Sequence, residues 1–198
     1  MGMTLVFNAT AALYSEPFAG GTIPDALEGG AVGVYFTGTV SDLPAGYDNI
    51  ASLTITLNLS GGYNHDLYAY LVGPGGTLVT LFNQPGSVYT SGSGFDLTLG
   101  TSGPGIQTAT QTEGAVFGGG LTYTAAGDLG NFNHTAATGA WTLYFQDLSE
   151  GGGSTTLDNW SLGIEAVPEP VNVALGIFGG VLGVAALRKK LKFGKLKC

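Results

Sequence analysis

The first 187 residues of this 198-residue chain contain neither lysine nor arginine. A body without cationic side chains has no means of neutralising phosphates, which excludes the electrostatic basis for binding nucleic acid or an anionic membrane surface. The same stretch holds all fourteen carboxylates and so carries −14, while the last eleven residues carry +6, which together give the net −8. Such a body attracts cations, Ca²⁺ among them. The one cysteine, Cys198, is the final residue, so an intrachain disulfide is excluded, and a prenylation box would need three residues after it. Histidine is limited to His65 and His134, and no amphipathic helix can be read before residue 171. The length suits one domain of roughly 150 residues plus a tail. A domain of that size buries about 70% of the surface its unfolded chain exposes and needs no metal merely to fold.

What the body does contain is alternation. Leu53, Ile55, Leu57 and Leu59 fall on one face and Thr54, Thr56, Asn58 and Ser60 on the other, the period of a half-buried strand. Short strands are also read at Val34–Thr37, Leu67–Val72, Leu78–Phe82, Phe95–Leu99, Leu121–Thr124, Trp141–Gln146 and Trp160–Ile164, with turn-rich stretches between them. Gly73-Pro74-Gly75-Gly76 predicts a tight hairpin, because proline sets φ and glycine accepts positive φ. Seven to nine such strands predict two packed antiparallel sheets.

The character changes after Ala166. Val167-Pro168-Glu169-Pro170 ends the last strand, the seventeen residues Val171 to Leu187 carry no charge, and Arg188-Lys189-Lys190 follow. Seventeen apolar residues lie at the short end of a bilayer-spanning helix, and the spacings Gly176/Gly180 and Gly179/Gly183 let two such helices approach closely. Arg188, Lys189 and Lys190 hold the tail on the cytoplasmic side and orient the body outward. Pro168-Glu169-Pro170, an uncharged helix and a basic end, over residues 167–190, resemble the PEP-CTERM sorting segment of Gram-negative bacteria. That resemblance implies an exosortase-type sorting enzyme as partner and cleavage near the Pro-Glu-Pro motif. It also implies a route through an inner-membrane intermediate to the cell surface or an exopolysaccharide matrix. The basic tail 191–198 extends beyond the usual stop. Met1 to Glu16 has no basic n-region or sufficient apolar run, so residues 1–19 are expected to be an extension of a precursor that begins upstream.

The body carries a second resemblance. Leu53-Thr54-Ile55-Thr56-Leu57-Asn58-Leu59, Asn64-His65-Asp66-Leu67-Tyr68-Ala69-Tyr70-Leu71 and Gly73-Pro74-Gly75-Gly76-Thr77 are similar to the P-domain (P/Homo B) that accompanies kexin-like and furin-like proteases. Gly139-Ala140-Trp141-Thr142-Leu143, Asp147, Leu157-Asp158-Asn159-Trp160-Ser161-Leu162 resemble its closing strands, and Ile23-Pro24-Asp25 its opening. Over residues 20–166 the resemblance implies an all-β, jelly-roll-like antiparallel β-sandwich, here followed by a single C-terminal transmembrane helix. In the protease family that module stabilises the neighbouring catalytic domain.

Catalysis is not expected of the chain itself. Gly100-Thr101-Ser102 looks like a subtilisin-type nucleophile motif, but Gly103-Pro104-Gly105 follows and starts no helix. His65 and Asp66, read as adjacent strand residues, would point to opposite faces. Hard Ca²⁺ is better served by acidic loop ends, and Asp66, Asp147, Glu150 and Asp158 are the candidate ligands. The same acids also serve to cap turns and keep the surface soluble. Tyr63, Tyr68, Tyr70 and Tyr89 are candidates for a sugar-stacking platform, or ordinary outward strand tyrosines. The expected role is a non-catalytic structural or adhesive module. Its alternatives are a carbohydrate-binding module for exopolysaccharide and an accessory module of a serine protease.

Overall fold

The structure, a computed structural model, describes residues 11–27, 30–86 and 91–168. Among the described residues nine strands form two sheets: β1 Ala12–Ile23, β2 Val34–Val40, β3 Asn49–Gly61, β4 Leu67–Val72, β5 Leu78–Asn83, β6 Phe95–Gly105, β7 Phe117–Thr124, β8 Gly139–Asp147 and β9 Thr155–Val167. The only helical elements among the described residues are single 3-10 turns at Asn64–Asp66, Ile106–Thr108 and Leu129–Phe132. One sheet has the order β1-β9-β3-β6-β7 and the other β2-β8-β4-β5. All pairings are antiparallel except β6 with β7, which run parallel, so the antiparallel expectation holds for every pair but that one.

Alternation decides which face each strand buries. Leu53, Ile55, Leu57 and Leu59 of β3 point inward, as do Leu67, Ala69 and Leu71 of β4 and Trp141, Leu143 and Phe145 of β8. Together they form one continuous core. Trp141 packs against Phe132 with ring centroids 5.2 Å apart, and its indole N–H donates to the Ala137 carbonyl at 3.0 Å. The buried ring therefore leaves no polar group unpaired, the usual condition for a tryptophan in a core. The hairpin expected at Gly73–Gly76 forms between β4 and β5, with Gly76 at φ 82° and its N–H donating to the Gly73 carbonyl at 2.9 Å. Glycine alone takes that left-handed φ without steric cost.

Strand β1 begins within residues 1–19, expected to be an N-terminal extension, and runs on into the expected sandwich. Its pairing with β9 runs from Ala12↔Ala166 to Ile23↔Thr155, and Phe18 lies 4.6 Å from the Trp160 ring. The interruptions by Ser15, Glu16, Pro17 and the Gly20-Gly21 pair mask this strand in the sequence, whereas its long ladder on β9 defines it in space. β1 and β7 are the outer strands of the five-stranded sheet. Among the described residues no helix is long and apolar enough to cross a membrane. The expected span 171–187, Glu169 and Pro170 of the sorting motif, and Arg188, Lys189 and Lys190 lie outside the described residues; Pro168 directly follows β9.

Candidate functional site

Strand β8 carries its inward alternation one step beyond the apolar core, from Trp141, Leu143 and Phe145 to Asp147. Period two thus places a carboxyl group where a fourth core side chain would stand. Asp147 is fully buried; its Oδ1 accepts from the Ser149 amide at 3.1 Å, and its Oδ2 has no hydrogen-bond partner. Asp66 ends the 3-10 turn Asn64–Asp66 and its carbonyl accepts from the Leu148 amide at 2.7 Å. Leu67, the next residue, is the register partner of Asp147, so the two aspartates stand at adjoining strand ends. Asp25, two residues beyond β1, is the third member, and its Oδ1 is likewise buried without a partner.

Burial pushes the Asp147 carboxyl up to about 6; the Ser149 amide opposes this, the negative fields of Asp66 and Asp25 add to it, and the Ala26 backbone opposes it. Asp66 is also raised, first by burial and last by Asp25, against the opposing charge of His65 and the Ser149 hydroxyl. Buried carboxyl groups raised in this way, with further negative charge nearby, favour uptake of a proton or of a cation.

His65 and Asp66 do not lie in a strand, as the sequence reading had them. They share the 3-10 turn, in which the His65 charge acts on Asp66. His65 Nδ1 is buried without a partner, while its backbone amide donates to Ser91 Oγ at 3.0 Å. His134 is held elsewhere, at φ 64°, with its amide bonded to the Ile50 carbonyl. Ser102 is exposed within β6, in extended strand and not at a strand-to-helix turn. That placement lacks the sharp elbow that presents a nucleophile.

Of the four candidate Ca²⁺ ligands, the structure brings together Asp66 and Asp147 and adds Asp25, which the sequence reading did not propose as a ligand. Asp158 lies apart. It is the extra residue of a β-bulge, where Asn58 pairs with Asn159 and Leu59 with Leu157, and its Oδ1 accepts from Ser60 Oγ at 3.1 Å on the exposed side of the sheet. Glu150 is exposed in the loop between β8 and β9. The donors at Asp25, Asp66 and Asp147 are hard oxygens of the kind Ca²⁺ takes, and two of them lack partners. Yet among the described residues no three His, Cys, Asp or Glu side chains converge closely enough to hold a metal ion by themselves. A Ca²⁺ here would draw most of its six to eight oxygens from carbonyls and water.

The tyrosine candidates separate in the same way. Tyr63 is exposed beside Gly152, and Tyr89 lies outside the described residues. Tyr68 and Tyr70 stand on the outer face of the four-stranded sheet together with Tyr35 and Tyr144, which the sequence reading did not gather.

These features define an all-β sandwich module with an acidic cluster at one strand end and an aromatic cluster on one sheet face. Residues 50–164 match the family model of the proprotein convertase P-domain, and the chain belongs to that family. No curated protein matches it. Among solved structures it is similar to the Aeromonas sobria serine protease in complex with its chaperone, at 16% identity and a TM-score of 0.43, over 82% of this chain and 28% of that one. It is also similar to the serine protease of Aeromonas sobria, at 14% identity and a TM-score of 0.40, over 78% of this chain and 27% of that one. The chain thus spans less than a third of the length of either protease.

Proposed function

We propose that this chain is a non-catalytic P-domain module, exported and sorted to the cell surface or the exopolysaccharide matrix, where it has a structural or adhesive role. The observation that carries the reading is the partition of charge. Every lysine and arginine lies in the last eleven residues, directly after the uncharged run that follows Pro168-Glu169-Pro170. Basic residues retained on the cytoplasmic side place the acidic body outside. An exosortase-type enzyme that cleaves near the Pro-Glu-Pro motif then releases the body from its inner-membrane intermediate. The test is mass spectrometry of the mature protein from membrane, surface and medium fractions of its host. Loss of everything after the Pro168–Pro170 region is the expected result, and an intact Cys198 terminus in the inner membrane overturns the sorting step.

A second reading, an accessory module of a serine protease, is favoured by family membership over residues 50–164. It predicts co-purification with a protease from the same host and a lower melting temperature of that protease when the module is removed. In either reading Asp66 and Asp147, with Asp25, are the proposed Ca²⁺ ligands, supported by the unpartnered buried oxygens of Asp25 and Asp147.

A further inference from the structure

The register of the four-stranded sheet draws residues distant in sequence into one row. Tyr35 of β2 is directly opposite Tyr144 of β8, and Tyr144 is directly opposite Tyr70 of β4. Side chains at paired positions share a sheet face, so all three rings rise from the outer surface. Tyr70 and Tyr144 stack at 4.5 Å with 16° between their planes, and Tyr35 meets Tyr144 at 4.9 Å with a tilt of 55°. Tyr68 completes the group, with its edge toward Tyr70 at 6.0 Å and toward Tyr144 at 6.2 Å. Tyr35 is the most open ring, with 65% of its surface exposed.

This cluster is built, not incidental. The Tyr144 hydroxyl donates to Gln146 Oε1 at 2.9 Å, and Gln146 Nε2 donates to the Ala31 carbonyl at 3.1 Å. Gly33 passes so close above Tyr144 that a Cβ there would collide with its ring and hydroxyl. The segment entering β2 therefore clamps the central ring, while Tyr35 leaves most of its ring open to solvent. Rigid aromatic side chains fixed in advance lose little conformational entropy when a ligand arrives.

Charge selects the ligand class. Strands β2, β4 and β5 contain no charged residue, and β8 contains only the inward Asp147. The face presents instead phenol hydroxyls, the opposed Thr37 and Thr142, and the Gln146 amide. Residues 1–187 as a whole carry −14 with no basic residue to offset it, so an anionic polymer is repelled. A pyranose ring has axial C–H bonds on one face and hydroxyls round its rim, matching an aromatic ring bordered by neutral donors and acceptors. A few apolar rings with a small number of placed polar groups is the general make-up of a small-molecule binding surface.

We propose that the outer face of β2-β8-β4 is a binding site for a neutral polysaccharide, with Tyr35 as the principal stacking ring and Tyr70, Tyr144 and Tyr68 as its support. The site goes beyond the sorting reading and does not depend on it, since mis-sorting in the host would leave binding by the purified chain intact. Native affinity electrophoresis of the full-length chain through gels of a soluble β-glucan, a xylan or a galactomannan tests it, with alginate as the anionic comparison. Retardation by at least one of the three neutral polymers and none by alginate is expected. Tyr35→Ala should weaken that binding at least about tenfold with the melting temperature unchanged, as loss of an anchoring ring does. Tyr35→Phe, which keeps the ring, should bind within about threefold of the parent. Free migration through all three neutral gels overturns the proposal. So does retardation that is indifferent to Tyr35→Ala, or as sensitive to Tyr35→Phe as to Tyr35→Ala.

Discussion

Asn64 and Gln111 meet through a hydrogen bond of 2.9 Å, from Asn64 Nδ2 to Gln111 Oε1, and both side chains are buried. Asn64 also closes a two-way pair with Gly94, donating to its carbonyl at 2.9 Å and accepting from its amide at 2.8 Å. Gln111 takes the Gly92 amide at 3.0 Å and gives to the Pro85 carbonyl at 3.2 Å. Two neutral amides thus satisfy loop backbone that leads into β6 and sits beneath the turn carrying His65 and Asp66. Asn64→Ala would strand the Gly94 amide and carbonyl away from water, at about 1–3 kcal/mol for each unmade bond. A loss of about 3 kcal/mol in urea unfolding is expected, large enough to move the midpoint visibly.

Acid should stabilise this fold through Asp147. Its folded carboxyl is raised from 3.8 to about 6, so the protonated form is the one the fold prefers. The resulting stability is fully present below pH 3.8 and is lost as pH rises through about 6. Melting temperatures measured from pH 7 down to pH 5 should therefore rise. Asp147→Asn, which supplies a neutral group of the same shape, should raise the value at pH 7 and flatten this part of the profile.

Calcium should act on the same carboxyl group from the other side. At pH 7 a cation offsets the mutual repulsion of Asp25, Asp66 and Asp147, and saturation at a hundredfold excess over the dissociation constant contributes about 2.7 kcal/mol. Differential scanning fluorimetry should show a rise with CaCl₂, reversed by EGTA, and no response in Asp147→Asn. An unchanged melting temperature on chelation would remove calcium from the description of this cluster.

Tyrosine ionisation offers a check on the sheet face without any ligand. Burial, then the neighbouring Tyr35 hydroxyl, and then the phenols of Tyr144 and Tyr68 push Tyr70 up to about 12. Alkaline titration followed at 295 nm should show a phenol that ionises near pH 12, well after the ordinary ones near 10. Tyr35→Phe should bring that step down by removing one contributor.

The core was readable because it depends on local alternation. Leu53 to Leu59 and Trp141 to Phe145 announce their inward faces residue by residue, and the same rule extended by two positions puts Asp147 inside. Other features depend on register between distant strands. Tyr35 and Tyr144 are neighbours only because β2 pairs with β8, which neither segment declares by itself. Asp158 lies on the exposed face because a bulge inserts it opposite β3, a displacement that strict period two does not foresee. Asp25 carried a usable signal, a carboxylate directly after Ile23-Pro24 where a strand stops, but its proximity to Asp66 and Asp147 arises from the packing of three separate segments. The parallel course of β7 beside β6 is of the same kind.

The two outer strands of the larger sheet bear on how such a module behaves when crowded. β1 contains Pro17, which has no amide hydrogen to offer a passing chain, and β7 contains Gly118, Gly119 and Gly120, all at positive φ. Exposed strand edges template fibril growth unless proline, twist or irregular backbone blunts them. With both ends of this sheet interrupted, strand-to-strand joining through it is disfavoured when many copies lie side by side.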